Sequence, residues 1–469
     1  MSLAGLFQAL VLSCAVYLGI VYSSYLALML VGFAENRRRR HEEALEDLGT
    51  LGTSRFAPAV SVLLPAYNEA GGLPQAVLSL LALQYAEHEV IVVNDGSTDD
   101  TLARLVDALD LVQVVARPRG VVATAPIRAY YRSRRDPRLL VIDKVNGGKA
   151  DALNVGLDHC RYRYVCGVDA DMVFAKDALA RAMRVVTRDP ENIVGLTSFV
   201  EISEDPSRAL ADGVHWTIPD SKPLIAYQAL DYLRAFYNNR IAWSRLDFML
   251  CAVGAFQVWR RDLLEELGGW SREFTCEDIE LTFRVHESLR DQGRPYRVVC
   301  IPDRVGVTEG PDTITKLVAQ RERWQRVVLE TWWAYRHMFL SRRYGSVGFL
   351  GMPFYLFSEI LAPVFELLAV GTLLGGAAAG VVDWWQFALV TFLITMANSA
   401  FSAGAVLMVE TRARVYRGWG VARLFALMPL ELVVYRPIMA WARVKGTWRF
   451  LRGDRSWHKF ERNVRVEAA

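Results

Sequence analysis

The chain has 469 residues, a length typical of about three domain-sized units, and 52% of its residues are hydrophobic. With a mean hydropathy of +0.16 it is too apolar for one soluble domain, and with 22% charged residues it is too polar for a bundle buried entirely in a membrane. The net charge of +3 gives no general basis for binding nucleic acid. A soluble domain joined to membrane segments is therefore expected.

The six cysteines show neither a Cys-x-x-Cys pair nor zinc-type spacing. Several lie among apolar residues, where a free thiol behaves as a small hydrophobic group. We therefore expect reduced thiols and no disulfides.

The first 34 residues carry no charged side chain, and the run from Leu3 to Phe33 is long enough to cross a bilayer as a helix. A cleaved signal peptide is the alternative, which the length of the run and the lack of a basic segment before it disfavour. Four arginines follow at positions 37–40 and indicate a cytoplasmic side. We predict a transmembrane helix over residues 1–34 and a cytoplasmic linker over residues 35–57.

From Pro58 onward, short apolar runs alternate with helical patterns, as is typical of an α/β fold. Strands are predicted over residues 59–65, 89–97, 111–116 and 138–143 and in the stretch beginning at Tyr164, with helices over 73–83 and 99–109. The runs are continuously rich in Val, Ile and Leu. They therefore predict a mostly parallel sheet with helices on both faces.

Polar residues follow these strands where each strand ends, namely Asn68 and Glu69, then Asp95, then Asp169 with Asp171. The carboxyl ends of parallel strands form the crevice in which such sheets bind nucleotides. Asp169 and Asp171 are one residue apart, so in an extended backbone they point to the same side. Two carboxylates on so short a segment suit Mg²⁺ or Mn²⁺ bound together with substrate phosphates, although Asp-x-Asp is also common in ordinary turns.

A glycine-rich segment runs from Asn146 to Asn154 and contains Gly147, Gly148 and Lys149. Glycines let the backbone approach a ligand closely, and Lys149 can neutralise a phosphate. The apolar residues that follow predict a helix whose N-terminus favours the same anion. An ordinary loop is the alternative.

Four motifs occur in one order along this region: Ala66-Tyr67-Asn68-Glu69, Asn94-Asp95-Gly96-Ser97-Thr98-Asp99, Gly147-Gly148-Lys149 through Asn154, and Asp169-Ala170-Asp171. In order and spacing they resemble the motifs of inverting family 2 glycosyltransferases with the GT-A fold. The resemblance implies a GT-A catalytic domain over residues 58–309 and a nucleotide-diphospho-sugar donor.

The resemblance also implies roles for individual residues. The expected donor-binding set is Ala66, Tyr67, Asn68, Glu69, Asp95, Lys149, Asp151 and Asp169. Within it, Asp95 would contact the nucleotide base, Lys149 would lie near the diphosphate, and Asp169 would lie near the ribose and sugar. Asp171, together with Asp169, would hold the Mg²⁺ or Mn²⁺ ion.

Two later segments are expected to serve the acceptor and the chemistry. Gly254, Ala255 and Phe256 resemble the small-residue segment beneath the acceptor in this family. Glu277 and Asp278 begin a predicted helix, where acidic groups also favour the helix dipole without any catalytic role. The resemblance makes this pair catalytic, with Asp278 as the base that takes a proton from the acceptor hydroxyl.

Residues 310–345 alternate arginines with tryptophans and other apolar residues at helical spacing, a pattern typical of helices in the membrane interface. Gln320, Arg323 and Trp324 resemble the Gln-x-x-Arg-Trp motif of processive, membrane-embedded members. The resemblance implies that this motif closes over the acceptor end near the catalytic base, with Arg323 near the diphosphate. A purely interfacial helix is the alternative.

The region over residues 346–441 contains two apolar runs long enough to span a membrane, at 349–376 and 385–408. Glu359 and Glu366 lie in the first run. They are costly there unless they contact another helix or line a water-filled path.

Proline and charged residues interrupt the apolar stretch over residues 421–435. This interruption favours an interfacial or re-entrant helix over a further span. The basic tail over residues 442–469 is expected in the cytoplasm.

Two further segments leave alternatives open. Aromatic residues at helical spacing between Leu224 and Arg245 are suited to stacking on sugars, but a place in the core is favoured. The basic segment from Arg117 to Pro137 is expected to be a solvated loop, with a lipid-contacting or partner surface as alternatives.

The resemblance covers residues 58–345 by motif and the later apolar segments by arrangement. It is strongest to poly-N-acetylglucosamine, chitin-oligosaccharide and hyaluronan synthases. It implies a multi-pass protein of the cell membrane whose cytoplasmic domain extends a β-linked polysaccharide, with a uridine-diphospho-sugar as the expected donor. A single transfer to a membrane lipid is the alternative, and a non-catalytic scaffold is a second class.

Expected partners are the nucleotide-sugar donor, a polysaccharide or lipid acceptor and membrane lipids, with no nucleic acid. An accessory subunit and export of the product are left open.

Overall fold

The computed structural model describes residues 3–43, 46–204, 222–380, 384–413, 416 and 418–454. These residues fall into two compact units. The sheet unit comprises residues 41–43, 46–204 and Met249–Glu309, and the helical unit comprises residues 3–40, 222–248 and the described residues from Gly310 onward. Residues 222–248 thus belong to the helical unit, although the expected catalytic domain over residues 58–309 includes them.

Within the described residues, ten strands form one sheet. They are β1 (Val60–Ala66), β2 (His88–Asn94), β3 (Leu111–Val114), β4 (Ile127–Ser133), β5 (Leu139–Lys144), β6 (Tyr164–Val168), β7 (Met172–Phe174), β8 (Ile193–Ser203), β9 (Phe256–Arg260) and β10 (Arg297–Glu309). Their spatial order is β3-β4-β5-β2-β1-β6-β9-β8-β10-β7.

The α-helices of the described residues are α1 (Leu3–Glu43), α2 (Leu48–Thr53), α3 (Leu73–Leu81), α4 (Thr101–Ala108), α5 (Lys149–His159), α6 (Ala178–Arg188), α7 (Pro223–Leu233), α8 (Ile241–Arg245), α9 (Arg261–Glu266), α10 (Glu277–Asp291), α11 (Ile314–Ala334), α12 (Met352–Phe354), α13 (Ala362–Ala378), α14 (Trp384–Ala413), α15 (Gly418–Leu427), α16 (Glu431–Val434) and α17 (Arg436–Leu451). Turns of π-helix lie at Arg234–Arg240, Val347–Gly351 and Tyr355–Ile360. Turns of 3-10 helix lie at Arg336–Met338, Arg342–Tyr344 and Met428–Leu430.

The centre of the sheet is parallel, with β5, β2, β1 and β6 side by side in that order. Val62 of β1 pairs with Val90 of β2 on one side and with Cys166 of β6 on the other, and all three residues are fully buried. Unbroken apolar strands of this kind are covered on both faces. The predicted α/β fold is therefore confirmed.

Antiparallel strands extend this centre, so the whole sheet is mixed. On one side β3 and β4 pair antiparallel next to β5, and on the other β9 pairs antiparallel with both β6 and β8. A parallel pair requires a long crossover connection, usually a helix, whereas residues 115–126 between β3 and β4 contain no helix. The parallel character predicted from composition thus holds for the centre of the sheet and for the β8–β10 pair, whereas β3, β4, β7 and β9 pair antiparallel.

The basic segment from Arg117 to Pro137 is not a simple loop, because it contains β4. Tyr131 of β4 pairs with Gln113 of β3 and with Val141 of β5. The side chains of Arg128 and Arg132 in this strand are exposed to solvent, although the backbone of the strand is paired on both sides. The expectation of a loop is wrong for Ile127–Ser133, since the alternation of these arginines with apolar residues is that of a strand.

Four of the five aromatic residues between Leu224 and Arg245 lie in the core of the helical unit, and the fifth, Tyr232, is only partly buried. Tyr227, Phe236, Tyr237 and Trp243 are each at most 4% exposed. The ring of Trp243 packs edge-on against Phe354, with 5.4 Å between ring centroids. The favoured core position of these four residues is confirmed.

Two described helices, Phe7–Glu43 and Trp385–Arg412, are long and apolar enough to cross a membrane. Two bent helix pairs pass the same test together: Val347–Ile360 with Ala362–Ala378, bent by 44°, and Trp419–Val434 with Arg436–Leu451, bent by 49°. The described part of the chain therefore has two to four candidate spans. The second bent pair includes the interrupted stretch over residues 421–435 and is compatible with a broken span or a re-entrant loop.

Glu359, which lies in a candidate span, contacts a basic residue of another helix. Its carboxylate accepts from Arg443 Nη2 at 2.8 Å, and the same nitrogen donates to the carbonyl oxygens of Ser358 and Glu359. A contact between helices therefore offsets the cost of this charge. Of the expected basic tail over residues 442–469, α17 contains the first part, and residues 455–469 lie outside the described residues.

Candidate active site at the carboxyl edge of the sheet

The loops that follow β1 and β2 are joined by hydrogen bonds. The amide of Asp95 donates to the carbonyl of Ala66 (2.8 Å), and the amide of Asn68 donates to Ser97 Oγ (2.9 Å). In return, Asn68 Oδ1 accepts from the amide of Thr98 (2.8 Å). Asn68 has a φ of +51°, a left-handed conformation that asparagine tolerates because its short side chain bonds locally. These hydrogen bonds therefore fix the loops that follow β1 and β2 relative to each other.

The same loop carries Tyr67 and Glu69. Tyr67 is 37% exposed, so part of its ring faces solvent. The amide of Glu69 donates to Thr101 Oγ1 (2.9 Å), which links this loop to the first residue of α4.

Asp95 is 3% exposed and contacts the glycine-rich segment directly. Its carboxylate accepts from Lys144 Nζ (2.5 Å) and from the amides of Gly147 (2.9 Å) and Gly148 (2.8 Å). The expected contact between Asp95 and a nucleotide base stays a prediction. The partners of this carboxylate within the chain are a lysine and a glycine loop.

Lys149 begins α5 and lies among carboxylates. Its ammonium is 2.7 Å from Asp169 Oδ1 and 2.8 Å from Glu277 Oε1. Burial by itself lowers the pKa of Lys149, but Asp169, Glu277 and Asp278 together raise it well above the usual value for lysine. Lys149 is therefore a fixed positive charge at neutral pH.

Asp169 lies just after β6, and Asp171 lies immediately before β7. Asp169 is engaged by Lys149, and Asp171 Oδ2 accepts from Thr308 Oγ1 of β10 (3.2 Å). Among the described residues, no group of three or more His, Cys, Asp or Glu side chains is arranged to hold a metal ion. Asp169 and Asp171 carry carboxylate oxygens, which are the donors that Mg²⁺ and Mn²⁺ prefer, and one or two carboxylates are enough when substrate phosphates complete the shell. Their expected role as metal ligands stays a prediction.

Asp278 and Glu277 form the first turn of α10. Asp278 Oδ2 accepts from the amide of Gly254 (2.7 Å), and Asp278 Oδ1 accepts from the amide of Ile279 (2.7 Å) and from Cys276 Sγ (2.8 Å). Burial raises the pKa of Glu277, the neighbouring Asp278 adds to the rise, and Lys149 opposes it. Three donors therefore fix the carboxylate of Asp278 at the head of the helix.

The segment Gly254 to Phe256 contacts Asp278 through its backbone at Gly254. A Cβ atom on Gly254 would lie 2.9 Å from Asp278 Oδ2 and 3.0 Å from Lys149 Nζ, so the close approach requires glycine. Ala255 packs against the hydrophobic core. Phe256 is 1% exposed and begins β9, so the structure places its ring in the core, not on a surface open to an acceptor.

Asp151 does not reach an open surface either. Its side chain is fully buried, and its carboxylate contacts Lys144 (2.8 Å), Arg272 (3.1 Å) and the amide of Ala125 (3.2 Å). The buried position of Asp151 therefore favours a structural role in supporting the glycine loop, rather than the expected contact with the donor.

Gln320, Arg323 and Trp324 lie on α11 in the helical unit. Trp324 is 38% exposed, and its ring lies 6.3 Å from that of Tyr232 and 4.2 Å from the Arg321 guanidinium carbon. Their expected place over the acceptor end stays a prediction.

The structure adds two residues that sequence reasoning missed. Lys144 contacts both Asp95 and Asp151, and Thr308 donates to Asp171. A signal existed for Lys144, since a lysine at the end of an apolar, buried strand requires a charged partner. No comparable signal existed for Thr308, which is 137 residues from Asp171 in sequence.

The sequence profile of Glycosyl transferase family 2 matches residues 61–268 of the chain. Among curated proteins, the poly-beta-1,6-N-acetyl-D-glucosamine synthase of Staphylococcus epidermidis is 26% identical over 278 residues, which cover 58% of this chain and 56% of that protein. The protein of the same name from Staphylococcus aureus is 24% identical over 266 residues, covering 56% of this chain and 53% of that protein. The chain thus spans about half the length of the curated relatives it matches.

Among solved structures, the mannosyltransferase PcManGT from Pyrobaculum calidifontis aligns with 91% of this chain and 99% of its own length, with a TM-score of 0.51 and 20% sequence identity. At this identity the likeness concerns the fold. Residues 61–268, which include most of the sheet and its carboxyl-edge loops, thus match Glycosyl transferase family 2, and the fold is that of a GT-A-like glycosyltransferase domain.

Proposed function

We propose that this protein transfers a sugar from a nucleotide-diphospho-sugar to a growing β-linked polysaccharide, with inversion at the anomeric carbon. The observation that carries the proposal is the cluster in which Lys149 contacts Asp169 and Glu277 beside Asp278. A fixed cation and the carboxylates of Asp169, Glu277 and Asp278 meet at the edge where α/β sheets bind nucleotides.

In the proposed reaction, Asp278 takes the proton from the acceptor hydroxyl as that oxygen attacks C1 of the donor sugar. The bond from C1 to the diphosphate oxygen breaks on the opposite face, so an α-linked donor gives a β-linked product. Lys149 neutralises the diphosphate, and Glu277 and Asp169 hold its ammonium in position. Asp171 and Asp169 would hold Mg²⁺ or Mn²⁺, which would supply further charge stabilisation to the leaving diphosphate.

The names of the relatives guide the choice of substrates. The two staphylococcal proteins are named as synthases of a β-linked N-acetylglucosamine polymer, which supports a polymeric product and an N-acetylhexosamine donor. PcManGT was solved with GDP-Man and Mn²⁺, so guanosine-diphospho-sugars form the second donor class to test. Retention of Gln320, Arg323 and Trp324 supports repeated transfer over a single transfer.

The same proposal includes a membrane location. Two to four candidate spans support a multi-pass protein, and the arginines at positions 37–40 support a cytoplasmic position for the sheet unit.

The test is donor turnover by the full chain purified in detergent. Uridine- and guanosine-diphospho-sugars are supplied one at a time with Mn²⁺ or Mg²⁺, and the released nucleoside diphosphate and the product length are measured. We expect release with one donor and a product of many sugars whose new linkage is β by nuclear magnetic resonance. Chelation with EDTA should abolish release.

Each other result has a defined meaning. One sugar added per lipid acceptor would replace the polymerase with a glycolipid-forming enzyme. An α-linked product would contradict the single displacement. If no donor leads to release of nucleoside diphosphate, the proposal that this chain catalyses the transfer by itself is overturned.

A further inference from the structure

Lys144, the last residue of β5, is a fully buried lysine with two carboxylate partners. Its ammonium lies 2.5 Å from Asp95 Oδ1 and 2.8 Å from Asp151 Oδ2, and it donates to the carbonyl of Val145 (2.6 Å). An ammonium taken out of water without partners costs several kcal/mol, so the two carboxylates are what permits this burial. We call Lys144, Asp95 and Asp151 the Lys144 cluster.

The carboxylates of this cluster shape the glycine loop. Asp95 accepts from two consecutive amides, those of Gly147 and Gly148, and its carbonyl accepts from Asn146 Nδ2 (2.8 Å). On the other side, a Cβ atom on Gly147 would lie 2.6 Å from Asp151 Oδ2. Gly148 has a φ of +89°, which glycine adopts readily. The loop is therefore fixed from both sides by carboxylates that Lys144 holds together.

The loop leads directly into the proposed diphosphate-binding residue. Gly148 precedes Lys149, and the ammonium of Lys149 reaches Asp169 and Glu277. Movement of Gly147 and Gly148 would therefore move the start of α5 and with it Lys149.

We infer that Lys144 is a positioning residue for the donor site. By neutralising Asp95 and Asp151 it keeps both carboxylates in place, so that the glycine loop presents Lys149 to the donor diphosphate. The identity of the ligand rests on the proposed function, whereas the effect on the loop does not.

The first experiment needs no ligand. Amide hydrogen exchange is followed by mass spectrometry in the full-length protein for peptides covering residues 144–150, in the wild type, in Lys144→Met and in Lys176→Met, which alters an exposed lysine of the same unit. We expect exchange in this segment to accelerate about tenfold or more in Lys144→Met, because local opening follows the loss of its charged contacts. Lys176→Met should match the wild type, and peptides from α10 should report whether any change is global.

Unchanged exchange at residues 144–150 in a folded Lys144→Met protein would overturn the inference. If that variant does not fold, Asp95→Asn, which preserves volume, is measured in the same way. It should loosen the same segment, and unchanged exchange in Asp95→Asn would equally overturn the inference.

The second experiment couples Lys144 to Lys149 by a double-mutant cycle. Binding of uridine diphosphate with Mn²⁺ is measured for Lys144→Met, Lys149→Met and the double variant. We expect each single change to raise the dissociation constant about tenfold, and the double variant to match Lys149→Met alone, because Lys144 acts through Lys149. Effects that multiply would show that the two lysines act independently and would overturn the inference. If the wild type binds no nucleotide, the proposed function fails, and the exchange measurement alone decides the role of Lys144.

Discussion

Two clusters of charged side chains, one in each unit, are built in different ways. In the helical unit, the Arg234 guanidinium makes two contacts of 2.6 and 2.7 Å with Glu431 and also pairs with Asp231. Tyr435 Oη donates to Asp231 (2.7 Å), and Arg436 contacts Glu431 (3.0 Å), so the groups are satisfied mainly by one another. In the sheet unit, Lys149 and Asp169 are less enclosed, with 29% and 35% of their side chains exposed, whereas the second partner of Lys149, Glu277, is buried.

This difference distinguishes buried charges that stabilise the fold from charges that can take part in chemistry. A closed network such as that around Arg234 joins helices and leaves little capacity for a ligand, since each group already has a partner. At the edge of the sheet, by contrast, backbone amides fix Asp278 while Lys149 and Asp169 retain access to solvent. We therefore expect changes at the sheet edge to affect turnover and changes around Arg234 to affect stability.

The largest effect is expected from Asp278→Asn. Removal of a general base typically lowers the rate by about 10²–10⁴-fold, and the amide preserves the volume of the side chain. Nucleoside diphosphate release measures the loss, and Asp291→Asn, at the exposed far end of the same helix, is the matched control. If Asp278→Asn unfolds at a lower temperature and its loss of turnover is explained by that unfolding, the role of this carboxylate is structural, like that of the charges around Arg234.

Arg234→Met should act on stability. It leaves Asp231 and Glu431 without their shared cation, and breaking a buried pair on one side costs about 3–5 kcal/mol. Thermal unfolding in detergent measures the loss, with Arg342→Met, an exposed arginine of the same unit, expected to change the free energy of unfolding by less than about 0.5 kcal/mol. A variant that is fully stable but inactive would contradict the structural assignment.

The buried residue His286 should make the stability of the sheet unit depend on pH. Its Nε2 donates to the carbonyl of Met249, because a carbonyl only accepts, and its Nδ1 faces Tyr296 Oη. Burial lowers the pKa of His286 to about 4, whereas an unfolded chain has about 6.5. The unfolded state therefore binds more protons between these values, and stability should be complete above about pH 6.5 and fall as the pH drops toward 4, by roughly 3 kcal/mol in total.

Unfolding measured at pH 7.5 and pH 5 tests this dependence. In His286→Gln the difference between the two pH values should shrink, whatever the absolute stability of the variant. An unchanged difference would assign the pH dependence to other groups.

The smallest effect is expected from Gly254→Ala. The added methyl group crowds Asp278 and Lys149 at once, and a displacement of reacting groups by a fraction of an ångström should lower kcat about tenfold. Gly371→Ala, where nothing lies within 4 Å of the new Cβ, is the control. If Gly254→Ala retains full turnover, the close packing at Asp278 has no part in the chemistry.

The sequence predicts the elements of the sheet centre because each strand carries its own signal, an apolar run followed by a polar residue. The same rule finds Asn68, Asp95, Asp169 and Asp171, since each lies within about three residues of the end of a strand. For Asp95 and Asp151 the residues were found, but their partners Lys144, Gly147 and Gly148 are set by three-dimensional contacts that no local pattern encodes.

Contacts between segments that are distant in sequence also limit the prediction of which residues belong to which unit. Residues 222–248 belong to the helical unit because of pairs such as Arg234 with Glu431, which are 197 residues apart. Chain order alone assigns this segment to its sequence neighbours. The antiparallel strands β3, β4, β7 and β9 are a third case, since composition indicates burial and not the direction of a partner strand.

The order of the strands has a further consequence, for the behaviour of the protein at high concentration. The two outermost strands, β3 and β7, are the shortest in the sheet, with four and three residues. The eleven-residue β8 lies inside the sheet, and β7 pairs with β10 only over residues 306–308. A short edge exposes few unpaired backbone groups to a strand from another copy, and natural sheets limit aggregation in this way. Crowded copies thus have little opportunity to join sheet to sheet at β3, and removing β3 would uncover the longer edge of β4 and promote that association.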